Sequence, residues 1–155
     1  MSLKPLYSKP GHLIRRLQQI AVAIFMEETA EFGITPVQYA ALIAVRAHPD
    51  IDVTRLSALI AFDRSTLGNV VKRLEAKRWL QRRGGRTDRR IKRLRITAAG
   101  RQLLTMIEPA VRRAQQRMLA PIPKPERKRF IARLTQLVEI NNVHSRAPMG
   151  LLQDD

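Results

Sequence analysis

The sequence predicts a mainly α-helical chain with one small β-hairpin, an α+β fold in which helices from both ends flank a compact centre. Three observations predict it. Apolar residues recur at offsets of three and four over most of the 155 residues. One stretch, Ile91 to Ile96, alternates instead with period two, and a Gly84-Gly85 turn signal precedes it. Basic residues are concentrated beside that stretch: Lys72 to Arg95 holds twelve of the 29 Lys and Arg, opposed only by Glu75 and Asp88, for a local net of +10 out of +16. The first 53 residues carry five basic and five acidic groups and net to zero.

The elements follow in order. From Lys9 to Phe32, Leu13, Ile14, Leu17, Ile20, Ala21, Ile24 and Phe25 give one apolar face on a long first helix, and Gly33 stops it. Thr35-Pro36-Val37-Gln38 supplies a capping hydroxyl, a proline at the first helical position and a glutamine at the third, opening a second helix that runs to about Ala47. Asp52 caps a short third helix, Val53 to Ile60. Ala61 and Phe62 turn the chain, and Asp63 caps a fourth helix to about Arg78. Its buried stripe is Leu67, Val70, Val71 and Leu74, with Ser65, Asn69, Lys72, Arg73 and Ala76 opposite. Leu80 to Arg83 and Ile91 to Ile96 form a hairpin with a cationic tip. Thr97 caps a fifth helix to about Leu119, with Leu103, Leu104, Ile107, Val111, Ala114 and Met118 on one face and a bend expected at Pro109. Pro121, Pro123 and Pro125 precede a sixth helix, Glu126 to Asn142, with Phe130, Ile131, Leu134, Leu137 and Val138 on its apolar face. The tail from His144 lacks pattern and is expected to be flexible.

Composition excludes several classes. At 45% hydrophobic the chain is not a disordered one. No apolar run nears the roughly 18 residues of a membrane span, and the N-terminus lacks a signal-like core, so a cytoplasmic protein without membrane contact is expected. There is no cysteine, hence no disulfide or thiolate chemistry, and His12, His48 and His144 lack metal-ligand spacing. No nucleophile elbow, P-loop or dinucleotide fingerprint is present, which argues against an enzyme. No metal or cofactor is expected. Ordered, basic structure flanked by helices instead suits a partner that is double-stranded DNA.

Two short helices joined by a tight turn and followed by a hairpin make a winged helix-turn-helix, with a helical dimerisation region drawn from both termini. The order of elements, together with Asp88-Arg89-Arg90 followed by Leu94-Arg95-Ile96-Thr97-Ala98-Ala99-Gly100, resembles the MarR family over about residues 10–142. The family's wing carries Asp-x-Arg leading into L-x-L-T-x-x-G, and Ile96 replaces the second leucine here. The resemblance implies a dimer in which the first, fifth and sixth helices interlock, with recognition helix and wing reading major and minor grooves. It also implies that Asp88 orients the wing and that Arg90 enters the minor groove. On this reading residues 1–34 and 98–142 dimerise, 35–97 bind DNA and 143–155 form the tail.

Position along the recognition helix assigns roles. Its first two turns lie nearest base edges and carry Arg64, Ser65, Thr66 and Asn69. Gly68 permits close approach, and Lys72 and Arg73 suit phosphates. Arg86, Arg89 and Arg90 are a set whose individual roles the sequence does not rank. A solvated helix face is the plain alternative for Arg64 to Arg73. Apolar faces too long for one small lobe imply a homodimer and a pseudo-palindromic operator with half-sites on the order of 34 Å apart. By resemblance, a small aromatic carboxylate or phenol would release a repressor. His12, Arg15 and Arg16 at the start of the first apolar stripe, and Arg46 and His48 after the second helix, are the candidate ligand residues, with a solvent-exposed helix start as the alternative. The competing reading is a ligand-independent or non-specific architectural DNA-binding protein.

Overall fold

A computed structural model describes residues 3–84 and 92–150. Arg86, Asp88, Arg89 and Arg90 lie outside the described residues. The elements are α1 (Lys4–Tyr7), α2 (Pro10–Glu28), a 3-10 turn (Ala30–Phe32), α3 (Pro36–Ala47), β1 (Ile51–Asp52), α4 (Val53–Leu59), α5 (Arg64–Ala76), β2 (Leu80–Gly84), β3 (Lys92–Ile96), α6 (Ala98–Leu119), α7 (Lys124–Asn141) and a second 3-10 turn (Asn142–His144). The fold class is the one predicted, mainly helical with a small antiparallel sheet.

The caps form as the local chemistry dictates. Gln38 N–H donates to Thr35 Oγ1 (3.3 Å) and Thr35 N–H to Gln38 Oε1 (3.1 Å), closing the capping box of α3. Asp52 accepts from Arg55 N–H (2.9 Å) and Thr97 from Gly100 N–H (3.0 Å), starting α4 and α6. Pro109 lies inside α6. Gly33, at φ 58°, takes the left-handed conformation that ends the first helical segment.

Four details differ from the sequence reading. The first helix ends at Glu28 rather than Phe32, because the Thr29 hydroxyl donates to Phe25 O (2.7 Å) and the chain tightens into a 3-10 turn. The short helix α1 precedes it. A two-residue strand, β1, pairs with β3 (Ile51 opposite Leu94) and makes a three-stranded sheet of order β1-β3-β2. The tail is tied down over its described part: Asn142 exchanges side-chain hydrogen bonds with Met149 N and O (2.8 and 2.9 Å), and Gly150 N–H donates to Ala58 O on α4 (2.9 Å).

The core lies where α3, α4 and α5 meet the sheet and the lower half of α6. Leu42, Leu56, Leu67, Val71, Leu74, Leu94 and Ile107 are fully buried there. Above it α2 packs on α6. Glu27 and Glu28 end α2, against the preference of a helix C-terminus for positive charge. Arg113 Nε pairs with Glu28 (3.1 Å) and Arg117 with both glutamates (2.7 and 3.2 Å), offsetting that cost and pinning the two helices together. The hydrogen bonds from Arg113, then Arg117, hold the Glu28 carboxyl below the usual glutamate range. By contrast, α7 buries none of its residues, and Leu137 stands 53% exposed.

Candidate nucleic-acid interface

The outward face of α5 is built from its cap upward. Asp63 Oδ1 accepts from Thr66 N–H and from Ser65 Oγ–H, each at 2.8 Å. Hydrogen bonds from Thr66, then Ser65, lower the Asp63 carboxyl to about 2, so the cap is charged at any ordinary pH. The preceding turn is tight: Ala61 sits at φ 53°, and Phe62 N–H donates to Ser57 O (2.9 Å). Leu67, Val70, Val71 and Leu74 then anchor α5, as the sequence predicts. Arg64, Ser65, Thr66, Asn69, Lys72 and Arg73 are all exposed. A side chain at Gly68 would meet nothing within 4 Å, so no neighbour in the chain requires glycine there.

The hairpin is locked beside this helix. β2 and β3 pair antiparallel, Leu80 opposite Ile96 and Gly84 opposite Lys92. Arg82 Nε lies 2.8 Å from Glu75 Oε2 of α5, an ion pair joining helix to hairpin. It is a charge contact rather than an aligned hydrogen bond, since neither Nε nor Nη2 of Arg82 has an aligned acceptor among the described residues. On the other edge Asp50, at φ 67°, accepts from Arg95 Nε (2.6 Å) and also from Arg95 Nη2, and its backbone accepts from Arg93 Nη1 (3.3 Å). The Arg95 hydrogen bond holds the Asp50 carboxyl below its ordinary range. Lys77 Nζ donates to Gly33 O and lies 4.6 Å from the Trp79 ring centroid.

A basin of about 560 Å³ opens where these parts meet, lined by Asp52, Val53, Thr54 and Arg55 of the α4 start, Arg64 of α5, and Arg82 and Lys92 of the hairpin. Arg64 and Lys92, with Arg55 and the Glu75-paired Arg82 beside them and Asp52 opposing, leave an electropositive hollow that suits a phosphate. Arg55, Arg82 and Lys92 were not singled out in the sequence. Charge alone does not separate them from their neighbours; the packing of α4 on α5 brings Arg55 to Arg64, and the sheet register with the Glu75 pairing brings Arg82 and Lys92.

On the opposite flank of α5 lies a cavity of about 550 Å³. Gln18 and Val22 of α2, Thr35 to Gln38 at the start of α3, and Phe62 form one side; Thr66, Asn69, Val70 and Arg73 of α5 form the other. It is mostly apolar with a single cation, Arg73, and contains no carboxylate. Sequence reading missed Gln18, Val22 and Phe62, although Gln18 and Val22, four apart, share a helix face.

The five candidate ligand residues lie elsewhere, and neither cavity is lined by them. The His12 ring packs against Tyr7 (5.6 Å between centroids), and Arg15 and Arg16 both donate to Gln19 Oε1 (3.4 and 3.0 Å) on their own helix. Arg46 and His48 are exposed at the end of α3.

Known proteins share this architecture. The model of the MarR family matches residues 32–91. A putative transcriptional regulatory protein for the hcr operon of Thauera aromatica is 34% identical over 128 residues, 82% of this chain and 77% of the relative. The crystal structure of the PcaV transcriptional regulator from Streptomyces coelicolor with its natural ligand superposes with a TM-score of 0.78 at 30% identity, covering 90% of this chain and 96% of that one. BpsR of Bordetella bronchiseptica, whose structure concerns regulation of its DNA binding by 6-hydroxynicotinic acid, gives 0.78 at 27% identity, covering 84% and 93%.

Proposed function

The chain belongs to the MarR family of winged helix-turn-helix transcriptional regulators, and from that premise we propose that it is a homodimeric, sequence-specific repressor released by a small aromatic acid. The observation that carries the DNA half of this reading is the meeting of Arg64 of α5 with Lys92 of the hairpin in one basin beside the exposed face of α5, with Arg82 held there by Glu75. Residues 35–97 form the reading lobe. Arg64 and Asn69 address base edges, Ser65 and Thr66 make shorter contacts, and Lys72 and Arg73 hold phosphates. Arg86, Asp88, Arg89 and Arg90 serve the wing on the strength of the resemblance alone. Arginine inserted in a narrow minor groove favours A·T-rich flanks.

Residues 1–34 and 98–142 supply the dimer surface. Leu13, Ile14 and Ile20 of α2 and Leu137, Val138 and Ile140 of α7 are exposed apolar side chains, and a two-fold partner is what would bury them. The effector half rests on the cavity between α2, α3 and α5. Its apolar walls and one guanidinium fit a monoanionic aromatic carboxylate better than a dianion or a cation, and the BpsR relative responds to such a compound. On this reading the effector binds at Arg73, while His12, Arg15, Arg16, Arg46 and His48 line neither cavity.

The test is a fluorescence anisotropy titration against duplexes drawn from DNA upstream of the protein's gene and its neighbours. A regulator prefers one palindrome over a scrambled duplex of equal composition by about 10³-fold or more. Equal affinity for all duplexes, with steep salt dependence, would establish the architectural reading instead. Calorimetric titration with benzoate, nicotinate and 6-hydroxynicotinate tests the effector half: binding by at least one is expected, and none would remove it.

A further inference from the structure

The cavity and the proposed DNA-reading face share side chains. At about 100° per residue along a helix, Ser65 and Lys72 of α5 point away from the Leu67, Val71 and Leu74 stripe, and Thr66, Asn69 and Arg73 fall on the flank between them. These three are exposed to solvent and at the same time line the cavity. An arginine paired through both its N–H edges with a ligand carboxylate has those donors withdrawn from a phosphate. An asparagine amide turned to a ligand is likewise withdrawn from an adenine edge.

We propose that effector and operator compete directly for Asn69 and Arg73: a recognition helix holding an aromatic carboxylate at these two side chains is closed to the operator, so the two ligands exclude each other rather than acting only by moving the two lobes apart. The inference rests on the regulator reading above and adds its mechanism of release. The chemistry of the lining fits it. Arg73 is the one formal charge in the cavity, so it is where a carboxylate settles; Asn69, one turn earlier, and Gln18 across the gap offer amides to a ring substituent; Val22, Phe62 and Val70 face the ring. The first turn of the twelve-residue α3 opens on the same space and adds positive potential. The cavity has no other cation to hold the carboxylate if Arg73 stays on DNA.

Direct competition and coupling at a distance differ in how far they can go. Two mutually exclusive ligands raise each other's apparent Kd in proportion to concentration, without limit. Coupling between distinct sites stops at a fixed factor, typically about 5–150-fold. The experiment measures operator Kd by anisotropy while whichever of benzoate, nicotinate and 6-hydroxynicotinate binds is raised to roughly 1,000 times its own calorimetric Kd, beyond the range in which ordinary coupling saturates. The expected result is an operator Kd that climbs at least tenfold for every tenfold of ligand, approaching a hundredfold when both sites of the dimer must be vacated, with no plateau. A plateau, or a ternary complex of protein, operator and ligand, overturns the inference while leaving the regulator reading intact. Failure of benzoate, nicotinate and 6-hydroxynicotinate alike to bind the free protein overturns the effector reading and the inference with it. No preference for the operator over a scrambled duplex overturns the regulator reading itself. Separately, Asn69→Ala and Arg73→Ala should each weaken both partners, with roughly tenfold loss of ligand affinity for the arginine variant. Unchanged ligand affinity in both variants also overturns it.

Discussion

Gly68 stands in the middle of α5, where glycine costs about 1 kcal/mol relative to alanine and no neighbour in the chain demands it. On the proposed DNA-reading role of α5, its advantage lies outside the chain, in letting the helix axis come close to a duplex. Gly68→Ala is expected to stabilise the protein by about 0.5–1 kcal/mol in denaturant unfolding and to weaken operator binding, the two effects having opposite signs. Asp63 gives a second prediction. Its carboxyl is held at about 2 against an ordinary 3.8, so ionisation favours the folded state above about pH 4, and that contribution fades as pH falls through about 2. Between pH 5 and pH 2.5 the wild-type thermal midpoint should fall further than that of Asp63→Asn; parallel curves would refute the charged cap. The cap was legible in the sequence because an aspartate before an amphipathic run needs only local geometry. The fates of the arginines were not. Arg82 serves Glu75, Arg95 serves Asp50, and Lys77 serves Gly33 and Trp79, so part of the +10 segment holds the lobe together and is not all available to DNA.

Elements were legible in proportion to how local their causes are. The capping box fixes α3 at Pro36–Ala47, and four-residue apolar spacing fixes α5 and α6. β1 was invisible because two residues carry no periodicity; it exists through pairing with β3 and through the Asp50–Arg95 ion pair, contacts more than forty residues apart. The cavity was invisible for the same reason, being assembled from α2, α3 and α5. The join between β3 and α6 shows why its motif reads as it does. Thr97 Oγ1 donates to Arg78 O (2.7 Å) while accepting from Gly100 N–H, and a Cβ on Gly100 would collide with the Trp79 carbonyl and come within 2.8 Å of Ile96 Cγ1. Gly100→Ala should therefore cost about 1–3 kcal/mol of stability, measured by denaturant unfolding. A neutral effect would mean that the hairpin is not seated on α6 in this way.

At the scale of the molecule, charge and apolar surface are segregated. The first 53 residues are neutral and carry exposed Leu13, Ile14 and Ile20 on α2, while along the sequence Lys72 to Arg95 concentrates the positive charge. That division suits a protein that meets a second copy through one surface and a polyanion through another. Placing a charge on the bare α7 face, as in Leu137→Glu, should shift the protein toward monomer in sedimentation at micromolar concentration and lower operator affinity with it. A dimer of wild-type strength would mean that α7 faces something else. The fold class and the reading helix were evident from periodicity and charge; the partner surface was evident only as apolar faces too long for one lobe to cover.

The most direct measurement is hydroxyl-radical footprinting on DNA upstream of the protein's gene and its neighbours. The account predicts two protected patches related by a pseudo-two-fold axis, about one helical turn or 34 Å apart, at one palindrome. Protection spread evenly along the duplex, or a single unpaired patch, would contradict it.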